Sequence, residues 1–433
     1  MTLFIHGGDV VHPDGPQRAD VLVTSSTITA VGTDVPVPND ATKIDATGRY
    51  IIPGLVDLHA HLREPGHEEA ETIETGARGA ALGGYTAVVA MPSTDPVIDS
   101  PSEVRDVLTI AEGVACEVIP AAAMTVGRKG ELLTPMGELA AVGVRIFSDA
   151  GRGVQNPSTM RSIMEYATGL TAVTGGDPIV LAQHCEVEAL TAGGHMHEGE
   201  WATRLGMQGQ PAEAETLMMS RDIALARKTG AHLHFQHVST SEAVELIRSA
   251  KAEGLNITAE AAPHHFTLTD AACASYDPVF KVNPPLRTDV DVAAIKAGLA
   301  DGTIDCIATD HTPLEPHTKE FPFDQAPAGM LGLESALALA LTELDLPIEK
   351  VVDLMSWRPA AIAGLVGRHG NLVESGQRAN LAIVDPKQKW EIDGRSMASR
   401  SHNSPYDGRS VMGRVTHTIF NGDLVVVDGT PTR

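Results

Sequence analysis

Apolar and polar positions follow two different rhythms along this chain. Over residues 1 to 50 the apolar runs are short and strand-like, as at Val21 to Val23 and Ile28 to Val31, and turn signals cut them at Gly7-Gly8, Asp14-Gly15 and Gly32. The C-terminal end reads the same way. Asn380 to Val384, Val415 to Phe420 and Leu424 to Val427 are separated by Asn421-Gly422 and closed by Asp428-Gly429. From residue 51 to 375, strand-length apolar runs instead alternate with alanine-rich helical periods, the pattern of repeated βα units on a parallel sheet. In one such unit, His232 to Val238 reads as a strand and Ser239-Thr240-Ser241-Glu242 as a capping box. Ala243, Val244, Leu246, Ile247 and Ala250 then form an apolar helical stripe that stops before Gly254. Ile73 to Ala81, Gly83-Gly84 and Tyr85 to Met91 repeat this logic. The pattern predicts an α/β fold: a (β/α)8 TIM-like barrel over 51–375, with a small β-sandwich domain built from both chain ends, 1–50 and 376–433. The alternative is an open doubly wound sheet, but no G-x-G-x-x-G follows a strand to support nucleotide binding there.

Composition narrows the function. At 433 residues the chain has room for a barrel and an accessory domain. Asp plus Glu number 56 against 32 Lys plus Arg, a formal charge of −24, which argues against nucleic acid or an anionic membrane as partner. An anionic substrate therefore needs a local cationic pocket. The N-terminus lacks a basic stretch followed by a long apolar one, and no window reaches the roughly 20 apolar residues of a membrane span, so a cytoplasmic protein is expected. Cys116, Cys185, Cys273 and Cys306 have no C-x-x-C spacing and read as packed thiols.

The chemistry concentrates at predicted strand ends. In DLHAHLREPG, residues 57 to 66, His59 and His61 stand two apart behind an apolar run, a spacing that puts both imidazoles on one face of a strand. Two converging imidazoles supply half of a zinc-type site. His184 follows the run Ile179 to Gln183, His237 follows Leu233 to Gln236, and Asp310 follows Ile304 to Thr309. A single buried histidine at a strand end is most often a hydrogen-bonded core residue. Four histidines and an aspartate at the same structural position point instead to a shared metal site on the barrel's C-terminal face.

These residues also carry a resemblance. DLHAHLREPG, GGYTAVVAMP, AQHCE, APHH, VNPPLR, CIATDH and NSPYDG resemble the dihydroorotases of the amidohydrolase superfamily, long bacterial type, nearly end to end. H-x-H-L-R-E-P-G together with V-N-P-P-L-R separates this group from hydantoinases and allantoinases. The resemblance implies that His59 and His61 hold one zinc, that His184 and His237 hold a second, and that Asp310 binds the first and acts as base. It implies that Arg63 clamps a substrate carboxylate and that Asn283 contacts the pyrimidine ring. The implied substrate is a small anionic cyclic amide, and the reaction is the interconversion of N-carbamoyl-L-aspartate and L-dihydroorotate in pyrimidine biosynthesis. A homo-oligomer is implied too, with association with aspartate carbamoyltransferase left open. Two readings compete: the same chemistry on a hydantoin, dihydropyrimidine or allantoin type of ring, and a weakly active or non-catalytic partner of that transferase. The surviving ligand set favours catalysis.

Three positions depart from the family pattern. Ser93 stands where an asparagine amide usually meets the substrate carboxylate, and Leu314 where a histidine does. The family's D-D-G becomes Asp149-Ala150-Gly151, so Asp149 is the remaining candidate for a bridging metal ligand, and the site is expected to hold one or two Zn2+ ions. His317 and Lys319, in the proline- and charge-rich segment Thr312 to Gly329, are candidates to replace the lost polar contacts if that segment closes as a lid.

Overall fold

The computed structural model describes residues 1–176 and 178–433. Eight parallel strands make a barrel: β1 (Leu55–Ala60), β2 (Tyr85–Ala90), β3 (Glu117–Pro120), β4 (Ile146–Phe147), β5 (Val180–Gln183), β6 (His232–Phe235), β7 (Ile257–Ala261) and β8 (Cys306–Ile307). Neighbours pair in parallel from β1 to β3 and from β4 to β8. Parallel bridges from Ala122 to Phe147 and from Ala60 to His311 close the two remaining seams. All residues of β1 and β2 are buried, as expected for strands covered on one side by helices and on the other by the barrel interior.

Strand alternation sorts side chains between those two sides. Ile146, Val180, Ala182, Cys306 and Ala308 belong to an inner cluster with Ala87, Val89 and Met91. Phe147, Leu181, Leu233, Phe235 and Ile307 belong to the outer cluster, packed with helix residues such as Ile73, Ala77, Val244 and Ile247. The inner layer nearest the site is polar: Ser148 Oγ donates to Gln236 Oε1 at 2.9 Å, and His234 Nε2 lies 3.0 Å from Glu260 Oε2.

The two chain ends share one sheet. Leu381–Glu391 runs antiparallel to Tyr50–Pro53, which joins the N-terminal strands Thr2–His12, Gly15–Thr24 and Thr27–Gly32 to the C-terminal strands Ser410–Phe420, Asp423–Val427 and Thr430–Pro431. The apolar stretch from Ile51 to Leu58 is thus divided between this sheet and the barrel, with Gly54 at the crossing. A Cβ there would lie 2.3 Å from the Thr86 side chain, so only glycine fits.

Two local expectations change. The helix after β6, Ser241–Ala252, is capped by Thr240, whose side chain accepts from Ala243 N at 3.3 Å, and not by a Ser239 to Glu242 box. Ser239 is diverted to buried Glu215, which accepts from both its backbone N–H and its hydroxyl. The segment from Thr312 to Gly329 is pinned in place: Lys319 Nζ donates to the carbonyls of Pro278, Pro327 and Lys281 at 2.7, 2.9 and 3.2 Å. His317 is exposed and faces Glu315. Neither residue lines the pocket, so the lid that would bring their charge to the site is not formed by these side chains.

Candidate metal centre and substrate pocket

A pocket of about 380 Å³ opens at the C-terminal end of the barrel. One wall carries His59, His61 and Asp310, whose ligand atoms all lie within 4.8 Å of one another. Each imidazole is turned by a bond at its far nitrogen. His59 Nδ1 sits 2.7 Å from Glu260 Oε1, and His61 Nδ1 sits 2.5 Å from Ser93 Oγ. Both Nε2 atoms therefore face Asp310 Oδ1, at 3.6 and 4.0 Å. These separations exceed hydrogen-bond length, and His59 Nε2 is buried without a hydrogen-bond partner among the described residues. A buried ring nitrogen without a hydrogen-bond partner beside a carboxylate suits a metal ligand, and two imidazoles with one carboxylate are a donor set that would hold zinc.

The electrostatics agree. Burial works to deprotonate His59, but the charges of Glu260 and Asp310 prevail and lift its pKa to about 9. This point in the interior favours positive charge. Burial raises Asp310 to about 6 even with His59 beside it, which places a carboxyl of intermediate basicity at the pocket floor. His264, one of the residues in APHH, adds a second unpaired buried nitrogen, its Nε2 lying 3.6 Å from Asp310 Oδ2.

On the opposite wall His184 Nδ1 and His237 Nε2 lie 2.8 Å apart, bonded to each other. His184 Nε2 meets Glu186 Oε2 at 2.9 Å, and Asn283 Nδ2 donates to the same oxygen at 2.6 Å. The pocket mouth is cationic. Arg63, Arg128 and Arg152 all line it. Arg63 Nε is held by the Pro313 carbonyl at 2.9 Å and Arg128 Nη1 by the Ala150 carbonyl at 2.6 Å. Strain gathers here as well: Arg63, Arg128, His237 and Asp310 line the pocket and have φ of 65, 54, 33 and 47°, in the left-handed region that such residues rarely occupy.

The structure brings His59, His61, His184, His237, Asp310, Arg63, Ser93 and Asn283 to one pocket. Two expected roles change. Ser93 takes on a role behind the metal ligands, its Oγ accepting from His61 Nδ1 when Nε2 serves as ligand, which leaves the hydroxyl proton to donate elsewhere. Asp149 does not bridge anything in the pocket: Oδ1 accepts from the N–H groups of Met124 and Thr125 at 2.8 and 3.0 Å, and Oδ2 accepts from the Thr125 hydroxyl. The residue facing the pocket is Ala150. Glu260, Arg128 and Arg152 went unnoticed in the sequence, and Glu186 and His264 stood in the motifs AQHCE and APHH without a role assigned to them. Glu260 had a signal, a charged side chain inside the strand run ITAEA; Arg128, at the end of a short 3-10 helix, and Arg152, on a loop, had none.

Comparison with known proteins is consistent with this geometry. A family model described as dihydro-orotase-like matches residues 48–243. A dihydroorotase of Mycobacterium leprae is 47% identical over 94% of this chain and 95% of its own length. Those of Mycobacterium tuberculosis and Streptomyces coelicolor are 45% and 44% identical, each over 99% of both chains. Among solved structures, an L-hydantoinase from Arthrobacter aurescens matches with a TM-score of 0.88 over 100% of this chain and 98% of its own, and a dihydropyrimidinase from Brevibacillus agri with 0.86 over 100% and 96%. Both are 24% identical and speak for the barrel fold alone. Identity above two-fifths across almost the whole length shows that this chain belongs to the dihydroorotase family.

Proposed function

We propose that this chain is a metal-dependent dihydroorotase that interconverts L-dihydroorotate and N-carbamoyl-L-aspartate. The observation that carries the reading is the meeting of His59, His61 and Asp310 with the arginine-lined mouth of the same pocket. The two imidazoles and the carboxylate hold a divalent cation; this donor set suits zinc and also accommodates cobalt or manganese. Such a cation polarises a carbonyl oxygen and makes water more acidic. In the hydrolytic direction, oxygen from water bonds to the ring carbonyl carbon as the ring C–N bond breaks. Asp310 takes the proton from that water and returns it to the departing nitrogen, the work of a carboxylate as general base and then acid. Ring closure runs the same proton path in reverse and releases water. Arg63, Arg128 and Arg152 bind the carboxylate that distinguishes dihydroorotate from neutral rings, and guanidinium forks suit that group. Asn283, fixed by Glu186, faces the ring.

The test compares dihydroorotate with dihydrouracil, a ring without the carboxylate, in the zinc-loaded protein and two variants. Dihydroorotate should be the better substrate, and Arg63→Ala should narrow the difference chiefly by raising KM for dihydroorotate. Asp310→Asn should keep the fold by circular dichroism and lose roughly 10² to 10⁴-fold in kcat, the range for removal of a general base. Faster turnover of dihydrouracil than of dihydroorotate would overturn the substrate, and a folded Asp310→Asn protein with most of its activity would overturn the role of Asp310.

A further inference from the structure

The second half of the pocket lacks what a second cation needs. Two metal ions sharing a site stand roughly 3.5 to 4 Å apart and are held there by groups that reach both. Among the described residues that line the pocket, Asp310 is the one carboxylate, and residue 150 presents a methyl group. Ile146 and Ala150 pack with the inner cluster and Ser148 bonds inward to Gln236, while Phe147 packs in the outer cluster and Asp149 turns to Met124 and Thr125. Asp149 is locked there. Turning it inward would strip the buried N–H groups of Met124 and Thr125 of their acceptor and leave the Thr125 hydroxyl unpaired. Its neighbours are tied as well, Ala150 N to Ser148 Oγ at 3.1 Å and the Ala150 carbonyl to Arg128.

His184 and His237 meanwhile meet nitrogen to nitrogen at 2.8 Å, and His237 Nδ1 is buried without a hydrogen-bond partner among the described residues. A proton on His184 Nε2 goes to Glu186, so His184 Nδ1 has a lone pair and accepts from His237 Nε2. The two nitrogens offer a second ion one pair of ligand atoms and no third. Glu186, the nearest carboxylate, is engaged by His184, Asn283 and the Thr191 hydroxyl. Among the described residues, no group of three His, Cys, Asp or Glu ligands includes His184 or His237. By contrast the first wall is complete, with three ligand atoms and both imidazoles oriented from behind.

We propose that this chain holds a single metal ion, on His59, His61 and Asp310, and that His184 and His237 remain a hydrogen-bonded pair facing the substrate. The proposal rests on the metal-dependent reading above and fixes how many ions serve it. The full-length protein, purified without chelator, incubated with excess zinc and desalted, is analysed for metal by mass spectrometry. One equivalent per chain is expected, retained in a folded His184→Asn variant and lost in a folded His61→Ala variant. The manganese-loaded protein should give the paramagnetic resonance spectrum of an isolated ion, without the features of a coupled pair. Two equivalents in the unaltered chain, falling to one in His184→Asn, or a coupled manganese spectrum, would overturn the single-ion assignment and leave metal dependence standing. No tightly held zinc at all would overturn the metal-dependent reading itself.

Discussion

His61 illustrates how one hydroxyl sets a ligand. Its ring is held by Ser93 Oγ at Nδ1, which directs Nε2 toward Asp310, just as Glu260 does for His59. Groups that bond the far nitrogen of a metal-binding histidine fix its tautomer and orientation, and their loss typically weakens metal binding about 10 to 100-fold. Ser93→Ala should therefore lower zinc affinity by about that factor, read by competition with a coloured chelator, and leave KM for dihydroorotate nearly unchanged when zinc saturates. A large KM effect with unaltered zinc affinity would return Ser93 to the substrate-binding role that the sequence suggests. The serine was visible in the sequence, but its partner was not, because His61 and Ser93 meet only when β1 and β2 lie side by side.

The loop after β8 is held from a distance. Asn403 Nδ2 donates to the carbonyls of Thr312 and Gly329 at 2.9 and 3.1 Å, and its Oδ1 accepts from Leu314 N at 3.3 Å. One side chain from the C-terminal tail thus closes both ends of the segment that borders the pocket. This also explains why Leu314 cannot be judged by its side chain alone: the position is fixed through its backbone. Asn403→Ala removes three hydrogen bonds of about 1 kcal/mol each and leaves the buried Gly329 carbonyl without its partner. The expected result is a lower Tm and protease cleavage between Thr312 and Gly329, with the barrel otherwise intact. Unchanged Tm and unchanged cleavage would show that the segment holds its shape without the clamp.

At the scale of the whole molecule, the barrel and the terminal sheet meet in a cleft of about 250 Å³ lined by Glu334, Trp390 and Arg414 among others. Glu334 accepts from Ala398 N at 2.7 Å, and burial lifts its pKa to about 7, with Glu71 adding to the rise and Arg414 opposing it. An unfolded glutamate titrates near 4.5, so between these values the folded protein binds the proton more tightly. The stabilisation from this group is complete below about 4.5 and is lost as pH rises through about 7. Glu334→Gln cannot titrate. Its Tm relative to the parent chain should therefore be higher at pH 8 than at pH 5, measured by calorimetry in matched buffers. A constant difference across that range would mean that Glu334 is not protonated in the folded state. Of the described residues, no helix is long and apolar enough to cross a membrane.

By itself the sequence determined the barrel and its flanking sheet, because alternation with period two and stripes with period 3.6 are local properties that tertiary packing only has to accept. It also located His59, His61, His184, His237 and Asp310, since each follows an apolar run and a barrel gathers its strand ends in one place. Tertiary structure alone decided the rest. Glu260 behind His59, Ser93 behind His61, the Asn403 clamp and the meeting of Arg63, Arg128 and Arg152 join residues far apart in the chain. Such pairings depend on the lateral order of strands and the course of loops, and no periodicity within a segment encodes them.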